Sequence, residues 1–263
     1  MARPLITLTT DFGLSDHYVG AMKGVILGIC PNATLVDLSH QVAAYGIPEA
    51  AFLLAQAYGC FPKGTVHLVV VDPGVGTARR PILAQAAGQV FIAPDNGVLT
   101  MIWSREPRHK VRAITASRYF RDPVSRTFHG RDVFAPVAAH LAAGVPPARM
   151  GKLIKDYLRL NFERPVQTGK RIWTGAVLKI DHFGNVITNF RPDTVPGMSS
   201  RPWLLTLGPH QVTRLAQTYG ECPPGDLFLI EGSSGYLEIS VNQDSAARVI
   251  GCEPGAPVEI VTF

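Results

Sequence analysis

The segment Val66–Val71 constrains the fold most strongly, because five of its six residues are apolar and an aspartate follows directly. Such a run is typical of a strand buried on both faces of a parallel sheet. Strand-like segments also occur at Leu5–Thr10 and Gln89–Ala93, and segments with helical spacing lie at Tyr18–Ile29 and Ile47–Tyr58. This alternation predicts βαβ units, and therefore an N-terminal α/β domain with a mostly parallel sheet between helices.

The character of the sequence changes at residues 162–171, where a proline and a glycine interrupt a polar stretch. We place the domain boundary here, with an N-terminal domain at 1–165 and a C-terminal domain at 166–263. The C-terminal part contains short strand-like runs separated by turns rich in glycine and proline, which predicts a small β-sandwich or β-barrel. These runs are Thr174–Ile180, Leu204–Leu207, Leu227–Ile230, Tyr236–Val241 and Val258–Thr262.

Composition excludes several classes of protein. Hydrophobic residues make up 46% of the 263 residues and charged residues 17%, so the chain has enough apolar surface to form a core. No apolar run approaches the ~20 residues of a membrane span, and we expect no signal peptide. The four cysteines are scattered, which indicates reduced thiols rather than disulfides or a zinc site. We therefore expect a cytoplasmic protein without a metal site.

The net charge is +5, and much of the basic excess lies between residues 105 and 131. A basic stretch of this kind could contact nucleic acid, but no nucleic-acid-binding motif accompanies it. We interpret it as a solvated surface and expect neither a nucleic-acid partner nor a membrane partner. The residues are Arg105, Arg108, Lys110, Arg112, Arg118, Arg121, Arg126 and Arg131.

Polar clusters lie at or next to the ends of three predicted strands, at Thr10–Gly13, Asp72–Gly76 and Pro94–Gly97. In an open parallel sheet, ligands bind outside the carboxyl ends of the strands, so these clusters would converge on one crevice. Each cluster also has the composition of a tight turn, which leaves simple turn formation as the alternative. The usual motifs for dinucleotides, P-loop phosphates, zinc hydrolysis and serine hydrolysis are absent from the sequence.

Three further segments combine polar groups with glycine. Thr127–Asp132 holds an imidazole, a guanidinium and a carboxylate just before a helical segment, which suits an anion or a polar reactant. The alternative is that Asp132 is an N-cap and His129 a turn residue. Ile180–Asn185 and Gly232–Gly235 could likewise be sites or only hairpin connections.

In their order along the chain, these segments resemble the S-adenosyl-L-methionine (SAM) hydroxide adenosyltransferases, relatives of the adenosyl chlorinases and fluorinase. The resemblance spans nearly the whole chain. It implies an N-terminal α/β domain, a small C-terminal β-barrel, and a homotrimer with active sites between the N-terminal domain of one subunit and the C-terminal domain of the next. The matching pieces are Thr10–Gly13 with Tyr18–Gly24, Asp72–Gly76, Pro94–Gly97, Thr127–Asp132, Ile180–Asn185 with Thr188 and Asn189, and Ser233–Asn242.

The resemblance implies SN2 attack at C5′ of the adenosyl group, with methionine leaving and no cofactor. The sulfonium sulfur departs neutral, so the enzyme has to deliver a nucleophile in line rather than an acid. By resemblance, Asp72, Arg79 and His129 hold and polarise a water. Free water has a pKa near ~15.7, so we favour a water that loses its proton as the C–O bond forms over a preformed hydroxide.

Other residues carry over as binding groups. The resemblance implies that Asp11 accepts both ribose hydroxyls and that Tyr45 covers the sugar. It further assigns the adenine to Phe183 and Asn185, and the amino-acid end of methionine to Asp181 with Ser233.

Asp72 decides the subclass within this resemblance. The halogenases carry a tyrosine at this position, and a carboxylate facing the nucleophile would repel a halide. We therefore expect hydrolysis of SAM to adenosine and methionine. The alternatives are a SAM-dependent halogenase and a non-catalytic protein that binds an adenosyl ligand.

Overall fold

The computed structural model describes residues 3–162, 164–198 and 200–263. The chain divides into two compact units, residues 1–160 and 161–263. The boundary expected after residue 165 lies five residues beyond this division. No helix among the described residues is long and apolar enough to cross a membrane.

The first unit contains a seven-stranded mixed sheet in the order β2-β1-β3-β5-β4-β6-β7. The first four strands in that order are parallel to one another, and the last three add in antiparallel fashion. The strands are β1 (Leu5–Thr10), β2 (Thr34–Ser39), β3 (Val66–Val70), β4 (Pro81–Ala86), β5 (Gln89–Pro94), β6 (Lys110–Ala113) and β7 (Leu153–Ile154).

The prediction of a mostly parallel sheet is thus right for one half of this sheet and wrong for the other. The antiparallel half begins at a two-residue hairpin between β4 and β5. Its residues Ala87 and Gly88 both have positive φ, 52° and 74°. Two consecutive residues in this region form the hairpin turn whose twist matches antiparallel strands.

Strand β3 is buried along its whole length, as its apolar sequence predicts. The helices are α1 (Tyr18–Ile29), α2 (Ile47–Ala57), α3 (Thr100–Arg105) and α4 (Ala135–Ala142), and α1 packs against α4 while α2 packs against α3. The main core of this unit joins β1 and β3 to helices α1 and α4 through Ile6, Leu68, Met22 and Val137, among others. One π-helical turn, Gly130–Phe134, leads directly into α4.

The second unit is built on a nine-stranded sheet with the path β12-β11-β16-β9-β10-β15-β14-β13, to which β8 adds beside β9. Among the residues that the structure describes, no ladder joins β12 to β13, so closure of this sheet into a barrel is not seen. The elements are β8 (Val166–Gly169), β9 (Ile172–Ile180), β10 (Val186–Thr188), β11 (Trp203–Leu207), β12 (His210–Val212), β13 (Leu215–Ala216), β14 (Leu227–Glu231), β15 (Leu237–Val241), β16 (Pro257–Thr262) and the short helix α5 (Ala246–Ile250).

The five strands expected in this unit all form, as parts of β9, β11, β14, β15 and β16. Their inward residues, including Trp173, Leu205 and Ile239, build a separate core, to which Phe190, two residues after β10, also belongs. Strands β8, β10, β12 and β13 escaped prediction, since runs of two to four residues are too short to show a period.

Candidate active site

Two aspartates follow neighbouring parallel strands of the first unit. Asp11 comes directly after β1, and Asp72 lies two residues beyond the end of β3. The two strands pair in register, with Thr10 opposite Val70, so both aspartates lie at the carboxyl edge of the sheet. The cluster after β5 joins them, because the Asn96 side chain donates to the Val71 carbonyl at 2.8 Å. The three polar clusters therefore do converge on one edge.

Asp72, Arg79 and His129 form one connected group at this edge. Arg79 Nε donates to both oxygens of Asp72, at 2.8 and 2.9 Å, and Arg79 Nη2 donates to Asp72 Oδ2 as well. The same Nη2 lies 2.9 Å from His129 Nδ1. Only 5% of the Asp72 side chain and 9% of the Arg79 side chain are exposed. An ion pair that is this well shielded from solvent keeps a fixed geometry. Its guanidinium also contacts the imidazole of His129.

The contact with Arg79 determines the tautomer of His129. A guanidinium can only donate hydrogen bonds, so Nδ1 must be the unprotonated acceptor and Nε2 must carry the proton. Burial, followed by the positive charge of Arg79, lowers the pKa of His129. The imidazole is consequently neutral at neutral pH, with an Nε2–H available to donate to an oxygen atom.

The loop between Asp72 and Arg79 is held against the segment that precedes His129. Gly76 has φ +77°, and a Cβ added there would overlap the Arg126 carbonyl oxygen. The guanidinium of Arg79 also lies over the ring of Phe134, 5.1 Å from its centroid. The glycine thus permits the close approach of two loops that between them carry the three polar side chains.

Asp132 is a structural residue and not the N-cap that the sequence left as an alternative. It lies inside the π-helical turn, its side chain is fully buried, and it accepts bonds from Arg121 and Arg131 at 3.1 and 2.7 Å. It also accepts a bond from the Ser125 backbone at 2.8 Å. Burial alone would raise the pKa of Asp132, but these hydrogen bonds and charges lower it overall. Asp132 therefore anchors the segment that presents His129.

Asp11 and Tyr45 also meet in this unit. The Tyr45 backbone N–H donates to Asp11 Oδ2 at 2.9 Å, while the tyrosine ring is 71% exposed. Tyr45 has φ +65°, a conformation that few non-glycine residues adopt. One carboxylate oxygen of Asp11 is thus used to hold the Tyr45 loop, and the other has no protein donor among the hydrogen bonds of the described residues.

In the second unit, Asp181 organises the turn between β9 and β10. Its Oδ1 accepts the backbone N–H groups of Phe183 and Asn185, and its Oδ2 accepts the Asn185 side-chain amide, all at 2.9 Å. This turn leaves Phe183 76% exposed and Asn185 buried. The segment Ile180–Asn185 therefore does form the hairpin connection that the sequence left as an alternative. The same turn positions Phe183 and Asn185, the two residues expected to contact adenine.

A cleft of ≈ 1000 Å³ lies beside this turn. Its walls include Asp181, Phe183, Asn185 and Ser233, so the structure brings together all four residues predicted in the second unit. Sequence reasoning missed Glu238, a buried acid on the same wall. The strand pattern gave no signal for it, because Glu238 alternates with the core residues Leu237 and Ile239 and therefore has the register of an outward-facing side chain.

No group of three or more histidine, cysteine, aspartate or glutamate side chains within the described ranges is arranged to hold a metal ion.

The sequence matches two family models in tandem. Residues 6–151 match the SAM hydroxide adenosyltransferase N-terminal domain, and residues 175–259 match the C-terminal domain of the same family. The chain belongs to the SAM hydroxide adenosyltransferase family. All nine predicted site residues lie within the two matched ranges.

The relatives with a named activity are of two kinds, SAM hydrolases and fluorinases. The (R)-S-adenosyl-L-methionine hydrolase of Thermus thermophilus is 37% identical, over 98% of this chain and 100% of the relative. The enzyme of the same name from Salinispora arenicola is 36% identical, over 98% and 97%. The fluorinase of Nocardia brasiliensis is more distant, at 28% identity over 98% and 97%.

Two solved structures share the fold of this chain. An uncharacterised conserved protein from Thermotoga maritima is 38% identical and superposes with a TM-score of 0.89, covering 97% of this chain and 99% of the other. A conserved hypothetical protein from Thermus thermophilus is 35% identical, with a TM-score of 0.77 over the full length of both chains.

Proposed function

We propose that this protein hydrolyses S-adenosyl-L-methionine to adenosine and L-methionine. The observation that carries the proposal is full-length similarity, at 36–37% identity, to two enzymes named (R)-S-adenosyl-L-methionine hydrolase. That name specifies one configuration at the sulfonium sulfur, so the R epimer is the first substrate to test.

In the proposed reaction, water attacks C5′ while the C5′–S bond breaks and its electron pair goes to sulfur. The sulfonium becomes a neutral thioether, methionine, and the water becomes the 5′-hydroxyl of adenosine after losing one proton. Because the leaving group departs without a negative charge, no acid and no cofactor are required for its departure. The enzyme's task is to place a water on the far side of C5′ and to accept its proton.

We assign this task to Asp72, Arg79 and His129. Arg79 fixes the Asp72 carboxylate by bidentate contact, which leaves remaining acceptor capacity for a water proton. The Nε2–H of His129 donates to an oxygen atom and can orient the lone pairs of the same water. Arg79 therefore acts by positioning the two groups that would contact the nucleophile.

The remaining residues are proposed as binding groups. The second oxygen of Asp11 would accept ribose hydroxyls, and the exposed ring of Tyr45 would cover the sugar. The exposed ring of Phe183 offers a stacking surface for adenine, with Asn185 as a hydrogen-bond partner. Asp181 and Ser233 would contact the amino-acid end of methionine.

A halogenase is the second candidate, because fluorinases are among the relatives. Asp72 weighs against it. Asp72 is paired with Arg79, but its ionised carboxylate has only acceptor atoms to offer and cannot donate a hydrogen bond to a halide. Water is neutral and can donate a hydrogen bond to the same carboxylate.

We also propose a cytoplasmic homotrimer with a closed C-terminal barrel and with no nucleic-acid or membrane partner. The basic stretch supports the last point, because several of its members bond within the first unit. Arg105 donates to the Ala55 carbonyl, Arg112 donates to the Gly151 carbonyl, and Arg121 pairs with Asp132. Because these guanidinium groups already have partners within the protein, they are less available to bind phosphates than the number of basic residues in the stretch indicates.

The test is incubation of the purified protein with each SAM epimer separately, followed by chromatography of the products. The proposal predicts adenosine and methionine in equal amounts from at least one epimer. Intact substrate after prolonged incubation with both epimers would refute it.

A further inference from the structure

His40 is a buried histidine that the function described so far does not use. It follows β2 directly, and only 4% of it is exposed. Strands β1 and β2 pair in parallel with Thr9 opposite Ser39, so His40 lies at the same carboxyl edge of the sheet as Asp11 and Asp72. The partners of its two ring nitrogens therefore indicate what it does at this edge.

The two ring nitrogens of His40 face different partners. Nε2 lies 3.0 Å from Asp37 Oδ1, and Nδ1 lies 2.8 Å from the Thr10 hydroxyl oxygen. Partial burial alone would raise the pKa of Asp37, but hydrogen bonds and charge from Lys23 and His40 lower it overall. An ionised carboxylate only accepts hydrogen bonds, so the proton of the neutral imidazole belongs on Nε2. Nδ1 is then an acceptor, and the Thr10 hydroxyl donates to it.

This arrangement holds the segment that follows Asp11. Because the Thr10 hydroxyl donates to His40, its lone pairs can accept, and they take the Phe12 backbone N–H at 3.3 Å. The His40 carbonyl accepts the Gly13 backbone N–H at 2.8 Å. Gly13 has φ +65°, a conformation that favours glycine, so the chain turns here. His40 therefore holds the two residues after Asp11, one through Thr10 and the other directly.

His40 also begins the loop that carries Tyr45. The Tyr45 end of this loop is fixed to Asp11, because the Tyr45 backbone N–H donates to Asp11 Oδ2 at 2.9 Å. The His40 end is fixed to Thr10. Asp11 is thus braced through its side chain as well as through its backbone. Thr10 is completely buried and His40 nearly so, which leaves Asp11 as the group that can reach a ligand.

We propose that His40 is a positioning residue that fixes Asp11 for the ribose hydroxyls of the substrate. It acts through its bond with Thr10. The inference rests on the proposed function and deepens it. A carboxylate that is already held in one orientation loses less freedom when the sugar arrives, so the bond contributes to affinity by pre-organisation. Ligands without ribose hydroxyls gain nothing from it.

The test compares two nucleosides that differ only in the ribose hydroxyls, adenosine and 2′,3′-dideoxyadenosine. Neither has a sulfonium leaving group, so calorimetry follows binding without reaction. The ratio of their dissociation constants, here termed the ribose preference, is measured for wild-type protein, Thr10→Val and His40→Leu. Asp11→Asn gives the ribose preference that remains when the carboxylate itself is lost.

The chain offers matched controls for the threonine variant. Thr10→Ser keeps the hydroxyl. Thr7 lies on the same strand and is equally buried, and its hydroxyl oxygen lies 2.8 Å from Nδ1 of the buried His67. Thr7 is three residues before Thr10, about 10 Å along the strand from the carboxyl edge. Thr7→Val therefore removes the same kind of bond from the same sheet, away from Asp11.

Thr10→Val and His40→Leu should each weaken adenosine binding roughly 3- to 10-fold, the net contribution of one hydrogen bond. Binding of dideoxyadenosine should change by less than about twofold in both variants. Thr10→Ser should keep the ribose preference, and Thr7→Val should leave it within about twofold of wild type. An unchanged ribose preference in either Thr10→Val or His40→Leu would overturn the proposal, and so would an equal loss in Thr7→Val.

Two further results separate this inference from the proposed function. If wild-type protein prefers adenosine and the variants lose that preference, the inference stands even where SAM is not hydrolysed. If SAM is hydrolysed but wild-type protein shows no ribose preference, or binds neither nucleoside, the inference is overturned while the proposed function stands.

A surface variant keeps the test decisive if the buried variants do not fold, as judged by circular dichroism. Asp37 is 38% exposed, so Asp37→Ala spares the core while it removes the group that holds the proton on His40 Nε2. It should lower the ribose preference at least threefold, in the same direction as the loss of the Thr10 hydroxyl. A ribose preference equal to that of wild type in Asp37→Ala would then overturn the proposal.

Discussion

At the scale of single residues, the proposed catalytic group depends on Arg79, whose side chain has two partners. Arg79 contacts both the carboxylate of Asp72 and the imidazole of His129, so neither of these groups is positioned independently. Removing the charge of Asp72 without changing its shape is therefore the cleanest perturbation, since it spares the packing of Arg79 over Phe134.

Asp72→Asn should lower turnover of SAM by roughly 10²–10⁴-fold, the range expected for a positioned proton-transfer group. Substrate affinity should stay within a few-fold, because the binding groups are other residues. Single-turnover kinetics combined with calorimetry separate the two effects. Turnover equal to that of the wild type would remove Asp72 from the mechanism.

The three polar residues show how far sequence reasoning reaches at this scale. Local patterns marked the segments of Asp72 and His129 separately, but the three residues are 7 and 50 positions apart, so only the resemblance to a family linked them and added Arg79. Local patterns gave the wrong alternative for Asp132, because a π-helical turn has no sequence signature that we could recognise. Glu238 was missed because its register, opposite to the core residues Leu237 and Ile239, predicts a side chain that faces solvent.

At the scale of elements, long periodic segments were predicted well and sharp turns were not. Strand β3 and helix α1 form where their patterns place them. The antiparallel half of the first sheet was missed, since it depends on positive φ at Ala87, a residue type that seldom adopts it. Loop conformations of this kind also position the proposed catalytic group.

The variant Gly76→Ala tests whether the conformation of this loop positions the proposed catalytic group. Both Gly76 and Gly64 have positive φ, +77° and +86°, but only Gly76 faces a neighbour, because nothing lies within 4 Å of a Cβ at Gly64. Each alanine should cost about 1–2 kcal/mol of stability through backbone strain. Gly76→Ala should in addition lower turnover at least tenfold by moving Arg79, whereas Gly64→Ala should not. Denaturation and kinetics are measured on both variants, and equal turnover in the pair would show that the loop contact is not needed.

At the scale of the whole molecule, the proposed site residues are divided between the two units. Asp11 and Asp72 belong to the first unit, and Asp181 and Ser233 belong to the second. The proposed homotrimer joins such halves from neighbouring subunits, so each active site would depend on two chains.

Complementation tests this assembly. An inactive Asp72→Asn chain and an inactive Asp181→Ala chain are mixed and allowed to exchange subunits. Random exchange should place two intact halves at about one interface in four, and turnover should recover to roughly that fraction of wild type. Light scattering checks the mass of the assembly. A monomeric mass, or no recovery after exchange has been verified, would contradict the proposed trimer.

The most direct test of the central claim follows the oxygen atom. The protein is incubated with SAM in H₂¹⁸O containing molar chloride, and the products are analysed by mass spectrometry. Attack of water at C5′ beside the negative charge of Asp72 predicts adenosine that carries ¹⁸O at its 5′ position, and no 5′-chloro-5′-deoxyadenosine. Unlabelled adenosine, or an appreciable chlorinated product, would contradict the account.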